Sequence, residues 1–418
     1  MAEWKIYTPE GIQDVLINEC FFKRNLEQRV RKVFRSSGYY EVETPTVEFY
    51  DVFSTEENII PQETMFKFFD QQGRILVLRP DITIPIARVA ATKYRDNRYP
   101  LRMSYIGNAF KYNELGGGKQ KEFTQAGVEI IGAKTPQADA EVIATAIDAV
   151  KATGLKNFQI DIGQVEFFKG LMEETGLSDA ETEKMRVLID KKDFLGIEEL
   201  VKKHNIKDGL KDLILDLPKL FGSIDIIDKV EKYPINKRSI DALNNLRSII
   251  KMLDDYGLCK YVSIDLGMVQ SLNYYSGTIF RGFTYGVGFP ILSGGRYDGL
   301  VEKFGRKSPA TGFSMGINMV MMALERQNIE IEKPEIDTLV FCEEGGRGTA
   351  FRICQALRSQ EIVVEMDING EGFEMARSYA VSKEIGGILR VIDDENIELH
   401  NLEENKISKV SMGELLNA

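Results

Sequence analysis

Apolar residues along this chain recur at two spacings. Over residues 19–36 they return every three or four positions, which predicts an amphipathic helix closed by Gly38. Residues 39–45, Tyr-Tyr-Glu-Val-Glu-Thr-Pro, read as a strand stopped by proline. Residues 75–78 form a short apolar strand and residues 84–94 a helix. Residues 104–107 and 127–132 are strand-like runs around a polar loop, the pattern of a hairpin with a long tip. Residues 138–153 are amphipathic at helical spacing and end at Gly154.

The character then changes. Over about 168–258, Lys, Glu, Leu and Ile alternate at helical spacing, which reads as a helical insertion. Strand patterns return at 262–265, at 277–280 and at Phe283, and a Gly-rich turn is expected at 293–298. Residues 311–325 read as an apolar helix whose stripe of Met315, Met319, Met321 and Met322 suits core packing better than a cofactor. After a charged, proline-containing linker at 330–335, strands (338–341, 362–364, 387–392) alternate with helices (350–359, 375–381). That alternation predicts a small α/β domain over 335–418, behind a larger domain over 1–325 that carries the insertion.

Composition narrows the picture. Of 418 residues, 43% are hydrophobic and 28% charged, which suits a globular protein with a sizeable core. The net charge of −11 weighs against nucleic-acid binding, which needs clustered cations. There is no apolar run of about 18 residues, no apolar N-terminal leader, and the four cysteines have no metal-like spacing, so a reduced, cytoplasmic protein without a membrane span, metal or cofactor is expected. The only two histidines, His204 and His400, read as exposed surface residues, which removes His-based triads. No phosphate-binding loop, dinucleotide fingerprint or nucleophile elbow is present; Gly116-Gly-Gly118 reads as a flexible hairpin tip because no helix follows it.

Several ordered segments say more. Thr8-Pro-Glu-Gly-Ile-Gln-Asp14, Gly38-Tyr-Tyr-Glu-Val-Glu-Thr-Pro45, Leu78-Arg-Pro-Asp-Ile-Thr83, Tyr105-Ile-Gly-Asn-Ala-Phe110 through Gly132, Leu272-Asn-Tyr-Tyr-Ser-Gly-Thr278, Ser293-Gly-Gly-Arg-Tyr-Asp298 and Gly312-Phe-Ser-Met-Gly-Ile317 follow one another almost without gaps. In this order they resemble the class II aminoacyl-tRNA synthetases of the histidyl type, from their opening segment through motifs 1, 2 and 3 and the two histidine-specific segments. The likeness spans roughly residues 5–325, with a weaker anticodon-domain-like match after 335. It implies an α+β fold: a class II antiparallel sheet core with a helical insertion, a small C-terminal α/β domain, and a homodimer built through motif 1.

The departures from the family are informative. Where motif 2 carries Phe-Arg and a following Glu, this chain has Phe110-Lys111 and Asn113; where motif 3 carries Gly-x-Glu-Arg, it has Gly316-Ile317-Asn318-Met319; where the first histidine segment carries a catalytic arginine, it has Gln270. Arginine binds phosphate through a planar fork that lysine cannot reproduce, and methionine and glutamine supply no charge at all. Loss of one such transition-state stabiliser typically costs about 10²–10³ in rate. No catalytic residue is therefore expected, and no aminoacylation. The amino-acid half of the site is retained by the same comparison. Asp81, Thr83, Gln125 and Glu129 match the family's contacts to the substrate, and Leu272, Tyr274, Tyr275 and Tyr297 match the groups around the imidazole ring.

This combination resembles a branch of the family formed by the regulatory subunits of ATP phosphoribosyltransferase. That resemblance implies a non-catalytic subunit of a glycosyltransferase complex, assembled with a short-form catalytic subunit for the first step of histidine biosynthesis, with histidine as feedback effector. An active histidyl-tRNA synthetase, a ligand-free scaffold and a sensor of uncharged tRNA stand as alternatives.

Overall fold

The computed structural model describes residues 4–54, 60–112, 120–204, 206–269, 274–329 and 332–417. Asn113, the Gly116–Gly118 stretch, Gln270 and Leu272 lie outside the described residues. The chain divides into two compact units, Met1–Ile331 and Glu332–Ala418.

The strands of the first unit are β1 (Tyr40–Glu41), β2 (Val47–Phe49), β3 (Lys67–Phe69), β4 (Ile75–Leu78), β5 (Leu101–Phe110), β6 (Glu122–Ile131), β7 (Phe158–Gln164), β8 (Phe221–Gly222), β9 (Val262–Asp265), β10 (Thr278–Thr284), β11 (Leu292–Arg296) and β12 (Ala310–Gly316). Its helices are α1 (Ile17–Ser36), α2 (Thr83–Thr92), α3 (Pro136–Ala152), α4 (Val165–Glu173), α5 (Asp179–Asp190), α6 (Phe194–Lys203), α7 (Asp208–Asp216), α8 (Asp225–Val230), α9 (Lys237–Asp255) and α10 (Ile317–Arg326). Among the described residues, nine strands make one sheet in the order β1-β5-β6-β12-β11-β10-β7-β9-β8. Its centre, β5-β6-β12-β11-β10-β7, is antiparallel throughout, and only β1–β5 and β7–β9 are parallel. A second sheet, β2-β4-β3, is antiparallel.

Local chemistry explains the helices. In α1, Phe22, Leu26, Val30 and Phe34 are buried at strict four-residue spacing, and Gly38 leaves the helix at φ +80°, where a side chain would be strained. Ser178 and Glu181 form a reciprocal capping box on α5. Between β7 and β9 the chain is mainly helical, and α9 turns Leu243, Leu246, Ile250 and Leu253 into the main core.

Three expectations fail here. The Gly-rich segment 293–298 is not a turn: Leu292–Arg296 is an interior strand, paired with β10 on one side and β12 on the other. Its glycines allow other groups to come close, since a Cβ on Gly294 would lie 2.5 Å from the carbonyl oxygen of Gly312. The apolar run 311–325 is also not one helix. Its first half is β12, with Met315 fully buried, and α10 begins at Ile317. Neither histidine is exposed: His204 is half-buried with its Nε2 2.8 Å from Glu181, and His400 is 8% accessible and packs 4.8 Å from the Phe373 ring.

The second unit carries β13 (Thr338–Cys342), β14 (Val364–Met366), β15 (Gly387–Val391), β16 (Ile397–Asn401) and β17 (Lys406–Val410), with α11 (Arg347–Ser359), α12 (Phe373–Ser382) and α13 (Met412–Asn417). The order is β14-β13-β15-β16-β17, with β14, β13 and β15 parallel and a closing antiparallel hairpin. Among the described residues, no helix is long and apolar enough to cross a membrane.

Candidate ligand site

Strand periodicity places the polar groups. On β6, Gln125, Gly127 and Glu129 alternate onto one face, and pairing sets Glu129 opposite Gly312 of β12. A Cβ on Gly312 would stand 1.6 Å from Glu129 Oε2, so glycine is required for the carboxylate to occupy this space. One row away, Tyr105 pairs with Gly127, and the missing side chain there lets the phenol lie diagonally across to Glu129.

Glu129 is fully buried. Tyr105 Oη donates to its Oε1 at 3.2 Å, and the Tyr297 hydroxyl donates to Oε2. Burial pushes its pKa up to about 8; the Tyr297 and Thr83 hydrogen bonds oppose the shift, and the charge of Asp81 adds to it. Burial thus favours the protonated acid over the carboxylate. The surrounding phenols are likewise pushed upward by burial, Tyr105 and Tyr297 well above their ordinary value.

The other walls come from helix α2 and the β10–β11 region. Asp81 Oδ1 accepts the backbone N–H of Ile84 at 3.1 Å, which satisfies one of the orphan donors at the start of α2. Gln125 Oε1 accepts the N–H of Ile82 at 3.2 Å, joining β6 to the same helix start. Thr83 Oγ1 lies 3.2 Å from Tyr105 Oη. Tyr274 stacks on Tyr297 (centroids 5.5 Å apart, planes at 15°) and meets Tyr275 edge-on at 4.7 Å.

Together these groups enclose a cavity of about 180 Å³, walled by Asp81, Thr83, Lys111, Gln125, Glu129, Tyr274, Tyr275 and Tyr297 with backbone from Gly294 and Gly312. That is smaller than the roughly 300–1,000 Å³ of drug-sized pockets and suits a small metabolite. All the expected amino-acid contacts within the described residues converge there. Lys111 stands at its rim, and Met319 lines an adjoining space.

Four contributors were not anticipated. Tyr105 and Gly312 shape the bed of Glu129. Arg296 and Asp139 form a buried ion pair at 2.9 Å, and Arg296 also donates to the carbonyls of Ala133 and Thr135 and to Asp298. It therefore anchors the strand end that carries Tyr297. Burial raises the Asp139 pKa even though the guanidinium opposes it. Tyr105, Gly312 and Arg296 lie in the ordered family segments, but nothing in those segments marked them as supports of the site, and Asp139 lies in none of them.

The motif 3 position contains no cation. Asn318 accepts the N–H of Thr124 at 2.8 Å and donates to Gln120 Oε1 at 2.7 Å, so neutral amides bridge α10 to β6 beside Met319.

The histidyl-tRNA synthetase family model matches residues 11–320. An ATP phosphoribosyltransferase regulatory subunit of Acetivibrio thermocellus is 82% identical over all of both chains, and one of Ruminiclostridium cellulolyticum is 52% identical over all of both. The chain belongs to the family of ATP phosphoribosyltransferase regulatory subunits. A solved structure from Bacillus halodurans, described as an ATP phosphoribosyltransferase regulatory subunit/histidyl-tRNA synthetase, is 32% identical, covers 92% of this chain and 98% of its own, and superposes with a TM-score of 0.83. A histidyl-tRNA synthetase from Nostoc sp. PCC 7120, 22% identical over 98% of both chains, superposes at 0.84, which shows the fold shared with the regulatory-subunit family. The architecture is thus the class II synthetase α+β fold, serving a regulatory role in this family.

Proposed function

We propose that this chain is the regulatory subunit of a hetero-oligomeric ATP phosphoribosyltransferase, acting in the cytoplasm with a short-form catalytic subunit in the first step of histidine biosynthesis, and that it binds histidine as feedback effector. The observation that carries this reading is the buried carboxylate of Glu129 at the end of a small cavity whose other walls are aromatic or hydrogen-bonding. An imidazole N–H can donate to that carboxylate, and the Tyr274, Tyr275 and Tyr297 rings provide its apolar flanks. Asp81 and Gln125 suit the ammonium group, and Lys111 the carboxylate. Burial disfavours the charged form of Glu129, and a cationic or N–H donor ligand would offset that cost.

The phosphate side supports a role without chemistry. Met319 stands at the motif 3 position where the resemblance puts an arginine, and the Asn318–Gln120 amide pair beside it is neutral. Feedback would require histidine to bind the active and inhibited assemblies with different affinity. Homodimerisation through the motif 1 region is part of the reading: Val47, Phe49 and Phe68 leave an apolar face exposed on the small sheet, and Tyr40 is exposed at the edge of the large one.

Calorimetric titration with L-histidine tests the proposal, with the chain alone and with its co-purifying partner. Saturable binding in at least one arm is expected; none in either would refute it. Histidine-dependent pyrophosphate exchange should be absent, and clear turnover would restore the synthetase reading.

A further inference from the structure

The cavity around Glu129 adjoins a second, larger one of about 710 Å³. The two share Lys111, Gln125, Tyr275, Ser293, Gly294 and Ser314 as walls. Beyond these the larger space has apolar groups along it, among them Phe123, Met268, Ile279 and Met319. Its amides at Gln120 and Asn318 already bond each other. The charge of Arg281, on the far wall, acts on the carboxylates of Asp161 and Asp265. Such walls offer little to a polyanion and a good deal to an apolar group.

With histidine placed as proposed above, its ring lies at Glu129 and its ammonium at Asp81, so its carboxyl end faces Lys111, on the wall shared with the larger space. We infer that the cleft accepts histidine extended at its carboxyl end by an apolar group, as in a dipeptide with N-terminal histidine and an apolar second residue. This inference rests on the histidine reading of the first cavity. The amide would lie in the shared neck, and the second side chain against Phe123, Ile279 and Met319. The terminal carboxylate would keep a cation within reach. An apolar residue placed before histidine has no such space, because the ammonium end meets Asp81 and the start of α2.

The test is calorimetry on the full chain with L-histidine, His-Leu and Leu-His, followed by displacement of His-Leu with histidine. His-Leu should compete with histidine and bind about tenfold tighter, the gain from burying a leucine-sized side chain. Leu-His should not compete. Met319→Asp should weaken His-Leu about tenfold and leave histidine within twofold. If histidine binds while His-Leu is more than tenfold weaker, or if Leu-His competes equally, this inference fails and the histidine reading survives. If histidine itself does not bind, both fall.

Discussion

Replacing Glu129 by glutamine isolates the group on which the site turns. Burial raises the acid from 4.5 to about 8, and glutamine is nearly isosteric with its protonated form. A carboxyl raised in the folded state binds more protons there than in the unfolded chain. Its contribution to stability is therefore fully present below about pH 4.5 and is lost as pH climbs to about 8. The slope across that window is about 1.4 kcal/mol per pH unit, and the whole effect is at most on the order of 5 kcal/mol. Glu129→Gln has no such dependence. Urea unfolding of both proteins at pH 5, 7 and 9 should give a difference curve that shifts steadily in favour of the variant. Added histidine should stabilise the wild type and have much less effect on the variant, because an amide cannot replace a charge-assisted bond worth about 1.5–3 kcal/mol. Parallel pH profiles would show that folding does not raise the Glu129 pKa, and the account of its burial would be wrong.

Other perturbations test the scaffold. Gly312→Ala should displace the Glu129 carboxylate and abolish histidine binding by calorimetry while circular dichroism stays native, because the new Cβ would meet Oε2 at 1.6 Å. Arg296→Met leaves Asp139 buried and unpaired and should cost about 3–5 kcal/mol in urea unfolding, with Arg296→Met/Asp139→Leu recovering most of it. Asn318→Ala strips a partner from the Thr124 N–H and should cost about 1–3 kcal/mol by the same measurement.

Where a segment's own periodicity agreed with its environment, the sequence was enough. The four-residue stripe of Phe22, Leu26, Val30 and Phe34 predicted α1, and the alternation around Ser104 and Val128 predicted the β5–β6 hairpin, because both patterns bury one face whatever the neighbours are. The ordered family segments likewise named Asp81, Thr83, Gln125, Glu129, Tyr274, Tyr275 and Tyr297, and these meet around one cavity. Tertiary structure decided the rest. Ser293-Gly-Gly reads locally as a turn and becomes an interior strand because flanking strands satisfy its backbone and need the room that glycine leaves. Met315 belongs to a strand, not to the helix that follows, because cross-strand pairing outweighs helical propensity there. The unusual acid of Glu129 is written in no single segment. It exists because Gly312 vacates the space and Tyr105 and Tyr297 close over it, and burial of that kind depends on strands far apart along the chain.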